Sequence, residues 1–253
     1  MKVNFKKREN IGILSICRPE ALNALSRSIV DEIDQCIEAV SDKDILCLIL
    51  YSEKNFAAGA DIKDMVVCKE EEAKAFSFSP TFNKIDRLPI PVIAAIEGYA
   101  LGGGMELALT ADIRIVAKNA KMGFPEVTLG IFPGAGGTVR LPRICGEAYA
   151  KELIFTGNII DAERALQIGL VNQIAEEETV LECAMQMAQT IAKRAPLAVS
   201  GAKKVIDYGL SEPSKEKGIE MEAAVWATLF ETRDQKEGMK AFLEKRKPIF
   251  VNR

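Results

Sequence analysis

Histidine is absent from the 253-residue sequence. That gap removes Ser-His-Asp and Cys-His nucleophilic catalysis, histidine-ligated zinc and any imidazole general base. Proton transfer in an enzyme built from this chain has to run through carboxylates, Lys, Tyr, Cys or water. No C-x-x-C pair occurs among the six cysteines (Cys17, Cys36, Cys47, Cys68, Cys145, Cys183), so a structural zinc site is not expected. Most of them sit in apolar runs, as small core residues of a reducing compartment do. Neither a Walker-type G-x-x-x-x-G-K-[ST] nor a G-x-G-x-x-G is present, which disfavours a triphosphate or dinucleotide site. No apolar stretch approaches the ~20 residues of a bilayer-spanning helix. Met1–Lys7 alternates like a strand and lacks an apolar signal core, so the expectation is a cytoplasmic chain without a secretory leader. A large excess of either charge is also missing: 33 Lys+Arg face 36 Asp+Glu, a net charge of −3. Nucleic acid and anionic membranes are therefore poor general partners.

What is present is a hydrophobic share of 48%, enough for one large core. Apolar runs at Ile11–Cys17, Ile45–Leu50, Pro91–Ile96, Asp112–Ala117 and Leu170–Ile174 predict strands. Between the first two, Ser26 is a candidate N-cap for a helix with Ile29, Ile33, Ile37 and Val40 on one face. Strands separated by helices predict an α/β sheet with crossover connections. Beyond about residue 176 the period is helical. Leu181, Ala184, Ala188 and Ile191 share a face ending at Pro196, and Ala198–Tyr208 stops at Gly209, a candidate helix-ending glycine. Ile219, Ala223, Trp226 and Phe230 form another stripe, and Ala241–Arg246 closes the chain. The division expected is a core over 1–195 and a helical region over 196–253.

Glycine marks the candidate chemistry. Ala57–Lys63 and Gly98–Glu106 each follow a buried strand, at the edge where open α/β sheets bind ligands. Two such turns can each aim a backbone N–H at one oxygen, forming an oxyanion hole. A triple glycine before a helix can equally serve only close helix–sheet packing. Two carboxylates stand nearby: Glu106 in the turn after the glycines, and Glu126 in the loop Gly123–Val127. Either alone could be an ordinary solvated or dipole-complementing acid. Together, in a chain without histidine, they are a candidate acid/base pair.

These segments resemble the crotonase superfamily, its enoyl-CoA hydratase branch in particular. The resemblance is carried in order by Arg18–Leu25, Phe56–Lys63, Gly98–Gly104 with Glu106-Leu107-Ala108, Pro125-Glu126 through Pro133–Thr138, Thr156-Gly157 with Ala165 and Gly169–Val171, and Ala241–Arg246. It implies a core of repeated β-β-α turns, with C-terminal helices that build homotrimers or dimers of trimers. The substrates implied are acyl-CoA thioesters, with no metal and no cofactor beyond the coenzyme A carried by the substrate. The activity implied is reversible syn hydration of a 2-enoyl-CoA. Ala60 and Gly103 would supply the oxyanion N–H pair, and Glu106 and Glu126 the acid/base pair. Ala58, Ala60, Asp61, Ile62, Lys63 and Gly103 would border the acyl-CoA channel, and Ala21 and Leu22 the coenzyme. Phe124 stands where the hydratase pattern usually has Gln. It is expected to make the pocket more apolar, altering acyl preference or the ionisation of Glu126. Met65–Pro80, which in the family borders the acyl pocket, matches least, so acyl-chain length is not read from the resemblance. Enoyl-CoA isomerisation and hydration of a cyclic or dienoyl-CoA stay open as alternatives. RNA binding, which relatives perform through a lysine-rich helix, is disfavoured because Lys69–Lys74 is acidic on balance.

Overall fold

Strands buried along nearly their whole length build the middle of the main sheet. The computed structural model describes residues 2–40, 44–176 and 179–252. Its strands are β1 (Val3–Arg8), β2 (Ile11–Ile16), β3 (Cys47–Tyr51), β4 (Val92–Ile96), β5 (Tyr99–Leu101), β6 (Ile113–Ala117), β7 (Lys121–Gly123), β8 (Ile159–Asp161) and β9 (Gln173–Ala175). Six of them form one sheet in the order β1-β2-β3-β4-β6-β9. Only the β1–β2 hairpin is antiparallel. The other three make a small second sheet, β5-β7-β8.

The helices are α1 (Arg27–Val40), α2 (Ile62–Met65), α3 (Glu70–Phe76), α4 (Ser79–Asp86), α5 (Gly103–Ala108), α6 (Gly137–Cys145), α7 (Glu147–Thr156), α8 (Ala162–Gln167), α9 (Val180–Ala192), α10 (Pro196–Ser211), α11 (Lys215–Leu229) and α12 (Arg233–Leu243). Short 3-10 turns span Pro19–Ala21 and Pro125–Leu129.

Both faces of the main sheet are covered, which explains its near-continuous apolar strands. Leu48, Leu50, Val92, Ala94 and Ile96 face the larger core, shared with α1, α4 and α5. Cys47, Ile49, Ile93 and Ala95 point the other way, against Ala184 and Ala188 of α9. α1 is anchored by Ile29, Val30, Ile33, Ile37 and Val40, all buried. Each such side chain contributes about 1.5–3 kcal/mol of burial free energy. Ser26 does cap this helix, its Oγ accepting from Ile29 N at 3.4 Å.

After β4 the chain turns at Gly98 (φ +58°) and enters β5. A Cβ at Gly98 would stand 2.0 Å from the Lys54 carbonyl oxygen, so no other residue fits that turn. The sequence strand-turn-strand-helix thus runs β4-β5-α5, then β6-β7 into the 3-10 turn and α6. This is the β-β-α repeat that the resemblance implies.

Two expectations are corrected. Leu170 and Val171 are buried but lie in the turn after α8, where Leu170 O accepts from Arg114 Nε at 2.7 Å. The strand begins only at Gln173. Gly209 does not end α10, which runs on to Ser211. The stop is Pro213, whose ring forces Glu212 out of helical geometry (ψ 122°). Gly209 instead lies where α11 comes near, its Cα 3.8 Å from the position a Gly218 Cβ would occupy.

None of the six cysteines, all among the described residues, forms a disulfide; Cys47, Cys145 and Cys183 are buried and Cys17 is exposed. Among the described residues no helix is long and apolar enough to cross a membrane, and no cluster of His, Cys, Asp and Glu could hold a metal ion.

Candidate active site

The three glycines that open α5 serve three different neighbours. Gly104 permits close packing: a Cβ there would lie 2.0 Å from Ala57 O. Gly102 (φ +50°) admits a carboxylate, because its Cβ would stand 2.7 Å from Glu126 Oε1. Gly103 lies beside the other glycine loop, with Ala60 N 3.6 Å from its Cβ position. The packing reading of the triplet therefore holds for one glycine, while the other two border a site.

Glu106, on α5, is almost fully buried at 3% exposure. Its Oε1 accepts from Ala135 N (2.7 Å) and Gly137 N (2.8 Å), at the start of α6. Burial pushes the carboxyl up from its ordinary value. The two N–H bonds, and the positive charge of Arg140, pull it back toward the anion. Glu126 sits in the 3-10 turn and has fewer supports. Its Oε2 is buried with no hydrogen-bond partner among the described residues. Burial first, and the nearby Glu106 charge as a lesser cause, push Glu126 up to about 7, opposed by its own backbone N–H. Two acids at one cavity are thus held unequally: burial raises both, but Glu106 is gripped by two N–H groups while Glu126 is poised near neutrality.

The backbone arranges a donor pair beside them. Leu25 N donates to Gly59 O (2.7 Å) and Leu25 O accepts from Asp61 N (2.8 Å), a parallel bridge around Ala60. Such a bridge leaves the flanked residue's own N–H turned to the opposite side. Gly103 opens α5, where N–H groups have no helical acceptor. Neither the Ala60 nor the Gly103 N–H meets an acceptor among the described residues.

These groups converge on one cavity of about 270 Å³. Ala58, Gly59, Ala60, Ile62, Gly103, Glu106 and Glu126 all line it. Much of the remaining wall is apolar and includes Met65, Phe76, Phe78, Leu129, Ile131 and Phe132. Met65, Phe76 and Phe78 come from the segment 65–80, which the resemblance places beside the acyl pocket, whereas Leu129, Ile131 and Phe132 carry no such sign in the sequence. Phe78 stacks on both Phe76 and Phe82, with centroids 5.2 and 5.8 Å apart.

Other expected residues lie elsewhere. Phe124 is not on the cavity wall. It is fully buried beneath α6, its ring 3.1 Å from a Gly137 Cβ position, because β7 turns its side chain into the core. Asp61 and Lys63 do not line the cavity either. Asp61 caps α2, accepting from Lys63 N at 3.1 Å, and pairs with Arg18 at 2.8 Å. That pairing holds its carboxyl below the ordinary value. Lys63 is exposed. Ala21, at the end of the first 3-10 turn, and Leu22, left-handed at φ +51°, sit outside the cavity, tied to its rim where Leu22 O accepts from Ala58 N at 3.1 Å. At the C-terminus Arg246 is engaged by Glu237 and Glu244.

The chain is similar to known proteins along its whole length. The model of the family described as enoyl-CoA hydratase/isomerase matches residues 6–253. A crotonyl-CoA hydratase of Syntrophomonas wolfei is 42% identical, with 98% of this chain and 97% of the relative covered. A short-chain-enoyl-CoA hydratase of Clostridium acetobutylicum is also 42% identical, covering 97% and 95%. Among solved structures, an enoyl-CoA hydratase from Bacillus anthracis superposes with a TM-score of 0.96 at 37% identity, covering 100% of both chains. The β-β-α frame, the site at its glycine turns and these matches lead to one assignment: the chain belongs to the enoyl-CoA hydratase/isomerase family of the crotonase superfamily.

Proposed function

We propose that this chain is an enoyl-CoA hydratase that adds water reversibly, with syn geometry, across the 2,3 double bond of a 2-enoyl-CoA. The observation that carries the reading is the unequal pair of carboxyls at one apolar cavity, beside two unpaired main-chain N–H groups. As water adds at C3, negative charge moves onto the thioester oxygen. Donation from Ala60 and Gly103 N–H stabilises that charge, an effect of about 3–4 kcal/mol per donor in a dry site. Glu106, fixed through Oε1, orients the water and, as the carboxylate, removes its proton. Glu126, protonated near neutral pH, delivers a proton to C2. Dehydration runs the same steps backward.

A short acyl group suits the cavity, since about 270 Å³ is slightly below the ~300–1,000 Å³ of small-molecule pockets. The names of the two relatives above agree with it. Exposed Trp226, Phe242 and Leu243 support burial of the C-terminal helices against further copies, as in a homotrimer or dimer of trimers. Light scattering tests the assembly, which a monomer would exclude.

The activity is tested by following loss of enone absorbance with crotonyl-CoA, for the parent and for Glu106→Gln and Glu126→Gln. Loss of turnover in both variants is expected, and undiminished turnover in both overturns the mechanism.

A further inference from the structure

The loop that grips Glu106 is itself held from behind. Ala135 donates its N–H to Glu106, and its carbonyl accepts from Arg140 Nη1 at 3.1 Å. The other end of that guanidinium reaches α4, where Nη2 meets Asn83 Oδ1 at 2.7 Å and Asp86 Oδ2 at 3.3 Å. Arg140 lies over Gly136 (φ +109°), where a Cβ would stand 2.0 Å from Nη1. α4 also touches the loop directly, Ser79 Oγ donating to Gly134 O at 3.3 Å. The guanidinium side chain is only 13% exposed.

We infer that Arg140 is a positioning residue for Glu106: it clamps the 134–137 loop between α4 and α6, so that the Ala135 and Gly137 amides hold the carboxylate facing the cavity. A planar fork can satisfy the Ala135 carbonyl at one end and the α4 acceptors at the other, which a lysine cannot. Displacing a catalytic group by about 1 Å can cost up to ~100-fold in rate, so a clamp outside the cavity controls turnover. The ionisable groups facing Glu106 are Glu126 from the 3-10 turn and Arg140 from α6, with Asp86 of α4 paired to Arg140. Asp61, on the neighbouring loop, is engaged by Arg18.

The kinetic arm rests on the hydratase reading, so a second readout is independent of turnover. Arg140→Met removes both clamp and charge; Asn83→Ala removes one anchor and keeps the charge. In Arg140→Met, kcat for crotonyl-CoA is expected to fall about tenfold or more with KM within about twofold. The acid limb of its pH profile moves to higher pH, because the lost cation favoured the Glu106 anion. Carboxyl ¹³C NMR, assigned with Glu106→Gln, should show the Glu106 titration moving the same way. Asn83→Ala should lower kcat severalfold without moving that limb. A folded Arg140→Met with parental kcat and an unmoved Glu106 titration overturns the inference. If Arg140→Met does not fold, parental kcat in Asn83→Ala overturns it. Should the parent not hydrate crotonyl-CoA at all, the hydratase reading fails, while an unmoved Glu106 titration in folded Arg140→Met still overturns the inference.

Discussion

The acid/base pair makes a quantitative demand on the pH profile. Hydration takes up water and no net proton, so the ratio of kcat/KM in the two directions equals an equilibrium constant independent of pH. The same protonation state of the free enzyme must therefore serve both directions, with one proton shared between Glu106 and Glu126. Forward turnover starts with that proton on Glu126 and ends with it on Glu106. With Glu126 at about 7, about ten parts in eleven are protonated at pH 6 and about one in eleven at pH 8. The profile of kcat/KM should fall about tenfold between those values, and should fall alike for crotonyl-CoA and for 3-hydroxybutyryl-CoA. The values read from such a bell belong to the coupled pair. The assay is enone absorbance at substrate well below KM, from pH 5.5 to 9, in each direction. Glu126→Gln should abolish the alkaline limb along with about 100–10,000-fold of the rate. A flat profile between pH 6 and 8, or limbs of different shape in the two directions, would refute the one-proton argument.

Gly102→Ala should place a methyl against Glu126 and strain a left-handed backbone, lowering turnover at least tenfold and stability by about 1–2 kcal/mol. Parental kinetics in the folded variant would show that Glu126 does not act from its observed position. Glu126→Gln should also stabilise the fold at high pH. Its folded carboxyl lies above the ordinary value, so ionising it costs stability as pH rises from about 4.5 through about 7, and below that window the cost is absent. Urea unfolding at pH 8 should show a gain of about 1 kcal/mol, less than the full shift because the group is partly solvated, and no gain near pH 4.5.

The inner strands β2, β3, β4 and β6 were legible because they are five or six residues long and largely buried, as Ile45–Leu50 and Pro91–Ile96 display. β5, β7 and β8 were not, because three residues are too few to show a period. Glu106 and Glu126 could be read from their place beside glycine turns in a chain without histidine. The Ala60 and Gly103 roles came from resemblance alone, and the backbone geometry fits them. Phe124 misled because local sequence says nothing of which way a side chain leaves a short strand. Gly209 misled because a following proline outranks a glycine as a stop. Arg140 was invisible for a different reason: its partners lie 54–57 residues away, on α4, and no local pattern announces so distant a contact.

The proposed charge-stabilising donors at Ala60 and Gly103 are peptide nitrogens, and that sets how such a protein can diverge. Apart from proline, no single replacement deletes them. Drift at side chains can retune or abolish what happens at C2 and C3 while polarisation of the thioester survives. New reactions on the same class of substrate are then a short mutational step away, and inert descendants should still bind acyl thioesters.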